Sequence, residues 1–483
     1  MMRKEEYSEI ISGIIRILII SGIIMLIPII PSVVYNEYTQ LPFFLFPSMI
    51  LLIIGGYFYR KYPFPENISM KSAIVIASIS WLLISLIGII PYLSIDMNII
   101  DGFFESMSGF TTTGMTLINI LEKCPRSILF WRSLSEWIGG IGIVFLFTVL
   151  LKGSIGTWRL YRIEGKEKFT LSVKESIKNI LIIYTTLTII CTILLYLSGL
   201  NVFDSINHAM TTISTGGFST RTNSITDFSI SVRIIIIIFM IIGAIDFALI
   251  HKITKLKIKE VINDPEFRSF IFIIIISILL VYILISRDMS FSINELFTTI
   301  SIVTTTGYTS GDICIWPNST KVLLLIFMII GGCANSTAGG IKVWRLLILF
   351  KLLRRELKKL LLPSSVIMPI KIGDKTFDDE YLIRICTFFF GYIMLLFIIF
   401  LLLSINISDT FGAFSLAISS INNIGPAYYP IDKLDLFSKI ILIISMWIGR
   451  LELFPVMAFI FDFIPETFKN ILSKRFRKEH EYT

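Results

Sequence analysis

A cluster rich in glycine and threonine recurs four times in this chain, each time between long apolar runs. The four clusters read "SGFTTTGMT" at 108–116, "TTISTGGFST" at 211–220, "SIVTTTGYTS" at 301–310 and "SSINNIGPAY" at 419–428. Their glycines are Gly114, Gly216, Gly307 and Gly425, spaced roughly 100 residues apart. This regularity indicates one unit repeated four times. Because glycine adopts positive φ without steric cost, four such loops around one axis could turn a ring of backbone carbonyls inward.

The composition places these repeats in a membrane. The 483 residues are 54% hydrophobic and 16% charged, with a mean hydropathy of +0.81. No soluble domain of this size buries so much apolar surface, so we expect a protein with many membrane spans. The net charge of +8 is attributed to cytoplasmic loops rather than to nucleic-acid binding. The five scattered cysteines contain no CxxC, which argues against a disulfide framework or a zinc site.

Apolar runs of about 20 residues predict ten spans. These are 10–35, 41–60, 72–95, 127–151, 177–200, 229–250, 268–286, 319–353, 381–405 and 435–462. We interpret the first run as a retained helix rather than a signal peptide. The predicted units are an N-terminal two-helix extension (1–69) and four repeats (70–173, 174–264, 265–375 and 376–483, the last with a basic tail).

The segment before each cluster is too short to cross a bilayer. Each has about 10 residues with apolar positions at helical spacing, and we expect four re-entrant half-helices. Their negative C-terminal ends would point toward a central cation. The predicted fold is an all-α integral membrane protein, with four tandem helix–re-entrant half-helix–helix repeats around a pseudo-fourfold pore and an added N-terminal helix pair.

The distribution of basic and acidic residues between the loops predicts the orientation of the chain in the membrane. Basic residues gather at 60–71, 152–178, 252–259, 342–359 and 474–478, whereas acids prevail in the intervening loops. By the positive-inside rule both termini are cytoplasmic and all four clusters open outward.

The span 319–353 is too long to be one straight helix. At about 1.5 Å per residue it would reach about 52 Å, against a bilayer core of about 30 Å. Its centre reads "GGCANSTAGG", which is either a hinge or tight packing site, or a loop within the membrane that obstructs the path below the clusters. The candidate residues are Gly331, Gly332, Asn335, Ser336, Thr337, Gly339 and Gly340, with Lys342 near the cytoplasmic mouth.

Arg450 lies within the last span, where an arginine is costly and tends to face a cavity or a partner. It either snorkels or pairs with Glu136 or Asp246, or it faces the path and holds the 331–340 loop through its donors. Arg132 and Glu136, four residues apart on one helix, are predicted to form a structural pair.

Together the clusters, "GGCANSTAGG" and "IGRLE" at 448–452 resemble the Trk/Ktr/HKT superfamily of potassium transporters, over nearly the whole chain. The extra N-terminal helix pair is similar to the Trk-type transmembrane subunit. The resemblance implies that K⁺ is the bound ion and that the 331–340 loop is a gate. The implied filter residues are Thr112, Thr113, Gly114, Ser214, Thr215, Gly216, Thr305, Thr306, Gly307, Asn423, Ile424 and Gly425. The fourth cluster departs from the others, with Asn422, Asn423 and Ile424 in place of threonines and Pro426 after its glycine.

The function expected from this resemblance is K⁺ uptake across the plasma (inner) membrane of a prokaryotic cell through a gated, channel-like pore. The alternative is a symporter coupled to H⁺ or Na⁺. An intramembrane enzyme is disfavoured because none of the three histidines has a partner at ligand spacing. We expect a homodimer that docks a ring of TrkA-like nucleotide-binding regulatory subunits on the basic segments 152–174 and 351–375. No G-x-G-x-x-G occurs on a strand–helix unit, so nucleotide binding would belong to that partner.

Overall fold

A computed structural model describes residues 4–63, 65, 68–150, 173–287, 289–363, 368–373 and 375–463. The described part is mostly helical, which confirms the all-α prediction. A short antiparallel hairpin, β1 (Ile370–Ile372) and β2 (Lys375–Phe377), is the sheet found in it, and the sequence analysis did not anticipate it. The basic segment 152–172 and the tail at 474–478, both predicted as cytoplasmic, lie outside the described residues.

The helices follow the predicted order of long and short apolar segments. They are α1 (Lys4–Leu26), α2 (Ile29–Val34), α3 (Leu41–Lys61), α4 (Met70–Ile87), α5 (Ile99–Phe110), α6 (Arg126–Leu150), α7 (Val173–Leu197), α8 (Val202–Ile213), α9 (Ile230–Gly243), α10 (Phe247–Thr254), α11 (Ile258–Ile262), α12 (Pro265–Ile285), α13 (Ile293–Val303), α14 (Asn318–Ile330), α15 (Val343–Lys359), α16 (Asp379–Leu403), α17 (Thr410–Ile421), α18 (Leu436–Leu451) and α19 (Leu453–Ala458).

Eight of the ten predicted spans meet the length and hydropathy expected of a membrane crossing within the described residues. Six of them are single spans, and two are pairs of helices bent by 107° (α9 with α10) and 115° (α18 with α19). The predicted span 127–151 corresponds to α6. The predicted span 319–353 is broken, because α14 ends at Ile330 and α15 begins at Val343.

Four short helices stand where half-helices are predicted: α5, α8, α13 and α17. They have 11 or 12 residues each, so each is about 18 Å long and cannot cross a bilayer core. A polar side chain caps the first turn of each, namely Asn98, Asn201, Ser292 and Asp409. These caps satisfy N–H groups that would otherwise have no partner at a helix start. The boundaries of the four units stay a prediction.

Glu37, in the connection between α2 and α3, links the N-terminal helices to the start of α6. Its carboxylate accepts hydrogen bonds from the backbone N–H of Arg126 (2.6 Å) and Ser127 (2.8 Å), and from the Ser127 hydroxyl (2.7 Å). An acid at the positive end of a helix is stabilising. Glu37 therefore caps α6 from outside its own unit.

Candidate functional site

The loops after the four short helices share one backbone hydrogen-bond pattern. In each loop, one N–H donates to the carbonyl five residues earlier: Thr113 to Ser108 (2.8 Å), Gly216 to Thr211 (2.9 Å), Thr306 to Ser301 (2.8 Å) and Ile424 to Ser419 (3.0 Å). This pattern defines which residues of the four loops correspond. We call the loops 1 to 4, in chain order.

Each loop also holds two left-handed residues at corresponding positions. The first are Thr112, Thr215, Thr305 and Asn423, with φ of 54°, 50°, 56° and 52°. The second are Gly114, Gly217, Gly307 and Gly425, with φ of 79°, 87°, 88° and 109°. A left-handed threonine is an outlier that costs about 1–3 kcal/mol and persists only where the surroundings hold it. Such strain is concentrated in ligand-binding sites.

The backbone corrects the sequence prediction in loop 2 by one residue. Gly216 was taken as the counterpart of Gly114, but the glycine with positive φ is Gly217. Gly216 instead corresponds to Thr113, Thr306 and Ile424 through its hydrogen bond. Two adjacent glycines made the register ambiguous in the sequence, and only the dihedral angles resolve it.

Neighbouring loops touch in a closed ring. A Cβ added to Gly114 would overlap the Gly216 carbonyl oxygen, and one on Gly217 would overlap that of Thr306. A Cβ on Gly307 would overlap the Ile424 oxygen, and one on Gly425 would lie 2.6 Å from the Thr113 oxygen. The four carbonyls involved are the corresponding ones of loops 1 to 4. Loop 1 therefore meets loop 2, loop 2 meets loop 3, loop 3 meets loop 4, and loop 4 meets loop 1.

Side chains behind the ring differ between loops although the backbone does not. In loops 1 and 3, hydroxyl pairs brace the turn at 2.8 Å: Thr111 with Thr113, and Thr304 with Thr306. In loop 4, the Asn423 amide donates to Thr113 Oγ1 (3.0 Å) and to the Met446 carbonyl (2.9 Å). The unusual fourth cluster thus keeps the ring geometry with different chemistry.

The predicted pair between Arg132 and Glu136 is not the contact that the structure has. The Arg132 Nε lies 3.4 Å from Glu105 Oε2, and its Nη1 donates to the Ser219 carbonyl (3.1 Å). The Glu136 carboxylate instead accepts from the backbone N–H of Phe218 in loop 2, at 3.1 Å and 3.2 Å. The sequence analysis missed this contact because it joins residues far apart in the chain.

The break between α14 and α15 is a compact loop with its ends in contact. The Ile341 N–H donates to the Ile329 carbonyl (3.0 Å), and that of Lys342 to the Ile330 carbonyl (3.1 Å). Gly331 and Gly340 have φ of 76° and 80°, and a Cβ on Gly331 would lie 2.8 Å from Gly340 Cα. Only glycine fits this close approach at positive φ.

This loop, residues 331–342, packs directly against loops 3 and 4 and the end of α8. The Gly339 N–H donates to Thr305 Oγ1 (2.7 Å), and Thr337 Oγ1 donates to the Ile213 carbonyl (3.0 Å). Gly339 also packs against the Asn422 carbonyl so closely that a Cβ would overlap it. These three contacts fall on the last residue of α8 and on the first residues of loops 3 and 4. The loop therefore lies beside the ring, on the side where the half-helices end.

The remaining predicted residues of this loop contact the loop itself or the elements next to it. Ser336 Oγ donates to the Cys333 carbonyl (2.5 Å), and Asn335 is left-handed with φ of 53°. Gly332 packs against Ala244, at the bend between α9 and α10. Lys342 directly precedes α15 with φ of 79°, and its ammonium donates to the Ala338 carbonyl.

Arg450 is buried and binds backbone carbonyls on two elements. Its Nη1 donates to the Thr337 carbonyl (3.0 Å), and its Nη2 donates to the carbonyls of Gly139 (2.6 Å) and Gly140 (3.3 Å). The guanidinium thus links the loop 331–342 to α6, as its five donors allow. Of the two acids considered as its partners, Glu136 accepts from Phe218 and Asp246 caps α10 through the Ala248 N–H (2.8 Å).

A second arginine, which the sequence analysis did not single out, ties the same region together. Arg345 Nη2 lies 2.6 Å from Glu452 Oε2, and its guanidinium lies 4.2 Å from the centre of the Phe388 ring. Glu452 has φ of 64° and stands at the bend between α18 and α19. Among the described residues, no three His, Cys, Asp or Glu side chains form a group that could hold a metal.

Comparison with known proteins gives consistent matches over nearly the whole chain. A family model described as TrkH, cation transport protein, matches residues 44–468. The chain is 37% identical over 463 residues to an uncharacterized cation transporter of Methanocaldococcus jannaschii, covering 94% of each chain. It is 33% identical over 486 residues to the Trk system potassium uptake protein TrkH of Vibrio parahaemolyticus, covering 94% of this chain and 98% of that protein. The crystal structure of the potassium transporter TrkH from the same organism matches with a TM-score of 0.85 and 31% identity, covering 94% of this chain and 99% of the other.

Proposed function

The chain belongs to the TrkH family of cation transport proteins, and we propose that it takes up K⁺ through the ring formed by loops 1 to 4. The observation that carries this proposal is the cyclic contact of four corresponding carbonyls, those of Thr113, Gly216, Thr306 and Ile424. A ring of carbonyl oxygens can replace the hydration shell of a K⁺ ion. The C-terminal ends of α5, α8, α13 and α17 lead into the same ring, and their negative dipole ends favour a cation there.

The driving force in this proposal is the membrane potential. Moving one charge across 100 mV is worth about 2.3 kcal/mol, so uptake through an open path needs no chemical energy source. Coupling to H⁺ or Na⁺ is not favoured, since it calls for a carboxylate at the midplane of discontinuous helices. Asp246, at the bend between α9 and α10, uses one carboxylate oxygen to cap α10. The family is one of transporters, and nothing indicates catalysis.

The gate in this proposal is the loop 331–342 held by Arg450. The loop lies against the first residues of loops 3 and 4, which is where it would obstruct an ion leaving the ring. Arg450 binds the loop through Thr337 and adds a positive charge that opposes a cation. Opening then requires the loop to move aside, which breaks the hydrogen bond between Arg450 and the Thr337 carbonyl.

The remaining parts of the proposal concern location and partners. The chain would lie in the inner membrane with both termini cytoplasmic, and it would act as a homodimer. A ring of TrkA-like nucleotide-binding subunits would dock on the basic face that ends α15, where Lys351, Arg354 and Lys358 are exposed. Support for this side being cytoplasmic is its charge, by the positive-inside rule.

Growth rescue tests the proposed function. The full chain is expressed in a bacterial strain that lacks its own K⁺ uptake systems and grows only at high external K⁺. Restored growth at low K⁺, together with K⁺ uptake that stops when the membrane potential is collapsed, is the expected result. Verified membrane expression without K⁺ uptake would contradict the proposal.

A further inference from the structure

Glu136 is a charged residue packed behind the ring, and the ring geometry does not explain its charge. The side chain is fully buried on α6. Its carboxylate occupies the place that a side chain on Gly216 would need, since a Cβ there would overlap Glu136 Oε2 and Cδ. Loops 1 and 3 have Thr113 and Thr306 at the position of Gly216. Loop 2 therefore has a carboxyl group from another element where loops 1 and 3 have a threonine side chain.

The corresponding positions in two other units carry no charge. Gly139, Gly243 and Gly449 each pack against the last carbonyl of the half-helix in their own unit, those of Phe110, Ile213 and Ile421. Three residues before these glycines stand Glu136, Met240 and Met446 respectively, all fully buried. A methionine fills space in such a place, so packing does not require a carboxylate at position 136.

When Glu105 and Glu136 are both ionised, the charges around Glu136 leave an excess of one negative charge. Three charged side chains are buried together here: Glu105, Arg132 and Glu136. Glu105 binds Arg132 (3.4 Å), and it also accepts from Thr116 Oγ1 (2.6 Å) and the Leu117 N–H (2.5 Å). Arg132 Nη1 donates to the Ser219 carbonyl, and its guanidinium lies 4.0 Å from the centre of the Phe218 ring. Glu136 binds the Phe218 N–H, which carries no full charge.

We propose that Glu136 sets the affinity of the ring for K⁺, and that the conducted cation is the counter-charge of its carboxylate. A buried charge needs a partner of opposite sign, and a K⁺ ion at loop 2 supplies one. Glu136 does not touch the ion in this arrangement. It acts through the Gly216 and Phe218 segment that it contacts, so it is a positioning and affinity-determining residue. The inference rests on the proposed function of the ring.

The decisive variant is Glu136→Gln, which keeps size and hydrogen-bonding ability but removes the charge. In cells that lack other K⁺ uptake systems, the KM for K⁺ should rise about tenfold, while the maximal rate changes little. Glu136→Asp keeps the charge and should retain a KM near that of the wild type. Met240→Gln is the matched control, because it places the same amide at the corresponding position of α9 without removing a charge, and its KM should stay unchanged.

A double variant separates charge from packing. Glu136→Ala combined with Gly216→Thr rebuilds in loop 2 the threonine that loops 1 and 3 have. If Glu136 only fills space, this variant restores the wild-type KM; the proposal expects the KM to stay raised. A second readout is the thermal stability of the purified protein, in which Glu136→Gln should need about tenfold more K⁺ for the same stabilisation.

The outcomes distinguish this inference from the function on which it rests. An unchanged KM in Glu136→Gln, or full restoration in the double variant, overturns the role of Glu136. If Gly114→Ser alters ion selectivity in the same assay, the ring remains the ion path and only the inference about Glu136 is wrong. If neither variant changes the transport of any ion, the ring itself is not the path.

Discussion

Single glycines carry much of the ring because backbone conformation and close packing coincide at them. Gly307 combines φ of 88° with a contact so tight that any Cβ would overlap the Ile424 oxygen. We expect Gly307→Ala to displace loop 4 from loop 3 and to abolish selective K⁺ uptake. The measurement is K⁺ uptake in the presence and absence of excess Na⁺, at matched expression.

Gly311, in the segment that follows loop 3, provides the matched control for this variant. Its φ of 90° is nearly the same, but a Cβ added to it would meet nothing within 4 Å. Gly311→Ala therefore carries a similar backbone strain, about 1–2 kcal/mol, without the contact. If Gly307→Ala and Gly311→Ala lose K⁺ uptake equally, backbone strain alone explains the loss, and the evidence for close packing in the ring is removed.

For single residues, the sequence could predict that glycine is needed in each cluster and which residues surround it in the chain. Repetition located all four clusters, but Gly216 and Gly217 are adjacent, and a pattern cannot decide which of them turns to positive φ. The contact of Glu136 with loop 2 escaped prediction for a different reason. A carboxylate in an apolar run is visible in the sequence, whereas the loop it supports lies in another unit.

Among the helices and loops, the break between α14 and α15 gives the clearest prediction about K⁺ flux. Arg450 donates to the Thr337 carbonyl in this break, and in the proposed gate this contact holds the loop closed. Arg450→Ala removes these donors and one positive charge, so K⁺ flux should rise, and dependence on any regulatory subunit should weaken. Deletion of part of 335–339 should act in the same direction. Flux is measured in proteoliposomes at equal protein density.

Arg450→Lys refines this test because it keeps the charge but replaces the planar fork of donors by a single ammonium. Its flux should lie between those of the wild type and Arg450→Ala. Flux at or below the wild-type level in both Arg450→Ala and the deletion would leave the gate without support.

The cap on α6 gives a prediction about stability rather than transport. Glu37→Ala removes the acceptor for the N–H groups of Arg126 and Ser127 and should destabilise the protein by about 1 kcal/mol. The melting temperature of the purified protein should fall. The ratio of K⁺ to Na⁺ uptake should stay that of the wild type. A changed ratio would show that the loss of the Glu37 cap alters the geometry of the ring.

The sequence predicted some of these elements for physical reasons and missed others. The break in 319–353 was predictable because a straight helix of that length exceeds the bilayer core. The β1–β2 hairpin was not, since its six strand residues lie in a basic segment without a clear alternating pattern. The pair between Arg345 and Glu452 depends on the fold that brings α15 to the bend after α18.

For the molecule as a whole, the prediction that labelling can test is its orientation. Cys314 is exposed in the turn between loop 3 and α14, which the charge distribution places outside. A variant that keeps only this cysteine should react in intact cells with an impermeant thiol reagent. A variant without native cysteines that carries Lys358→Cys, at an exposed position near the end of α15, should react only after the cells are permeabilised.

The two variants serve as controls for each other, since the same reagent and the same cells are used. Labelling of Lys358→Cys in sealed cells would reverse the topology and place the gate loop on the outer side. Charge asymmetry was the only orientation signal in the sequence, and it could be read without knowing the fold. Closure of loops 1 to 4 into a ring could be proposed from the repetition, but their order and contacts required the structure.

The most direct test of the central claim is the ratio of K⁺ to Na⁺ flux through Gly114→Ser in proteoliposomes under a fixed membrane potential. A side chain on Gly114 would meet the Gly216 carbonyl of the ring, at a position with φ of 79°. Gly199→Ser is the matched control, because Gly199 has φ of 99° and open space around it. We predict that Gly114→Ser loses most of its preference for K⁺ over Na⁺ while Gly199→Ser keeps it. An unchanged ratio in Gly114→Ser would contradict the assignment of this ring as the path that selects K⁺.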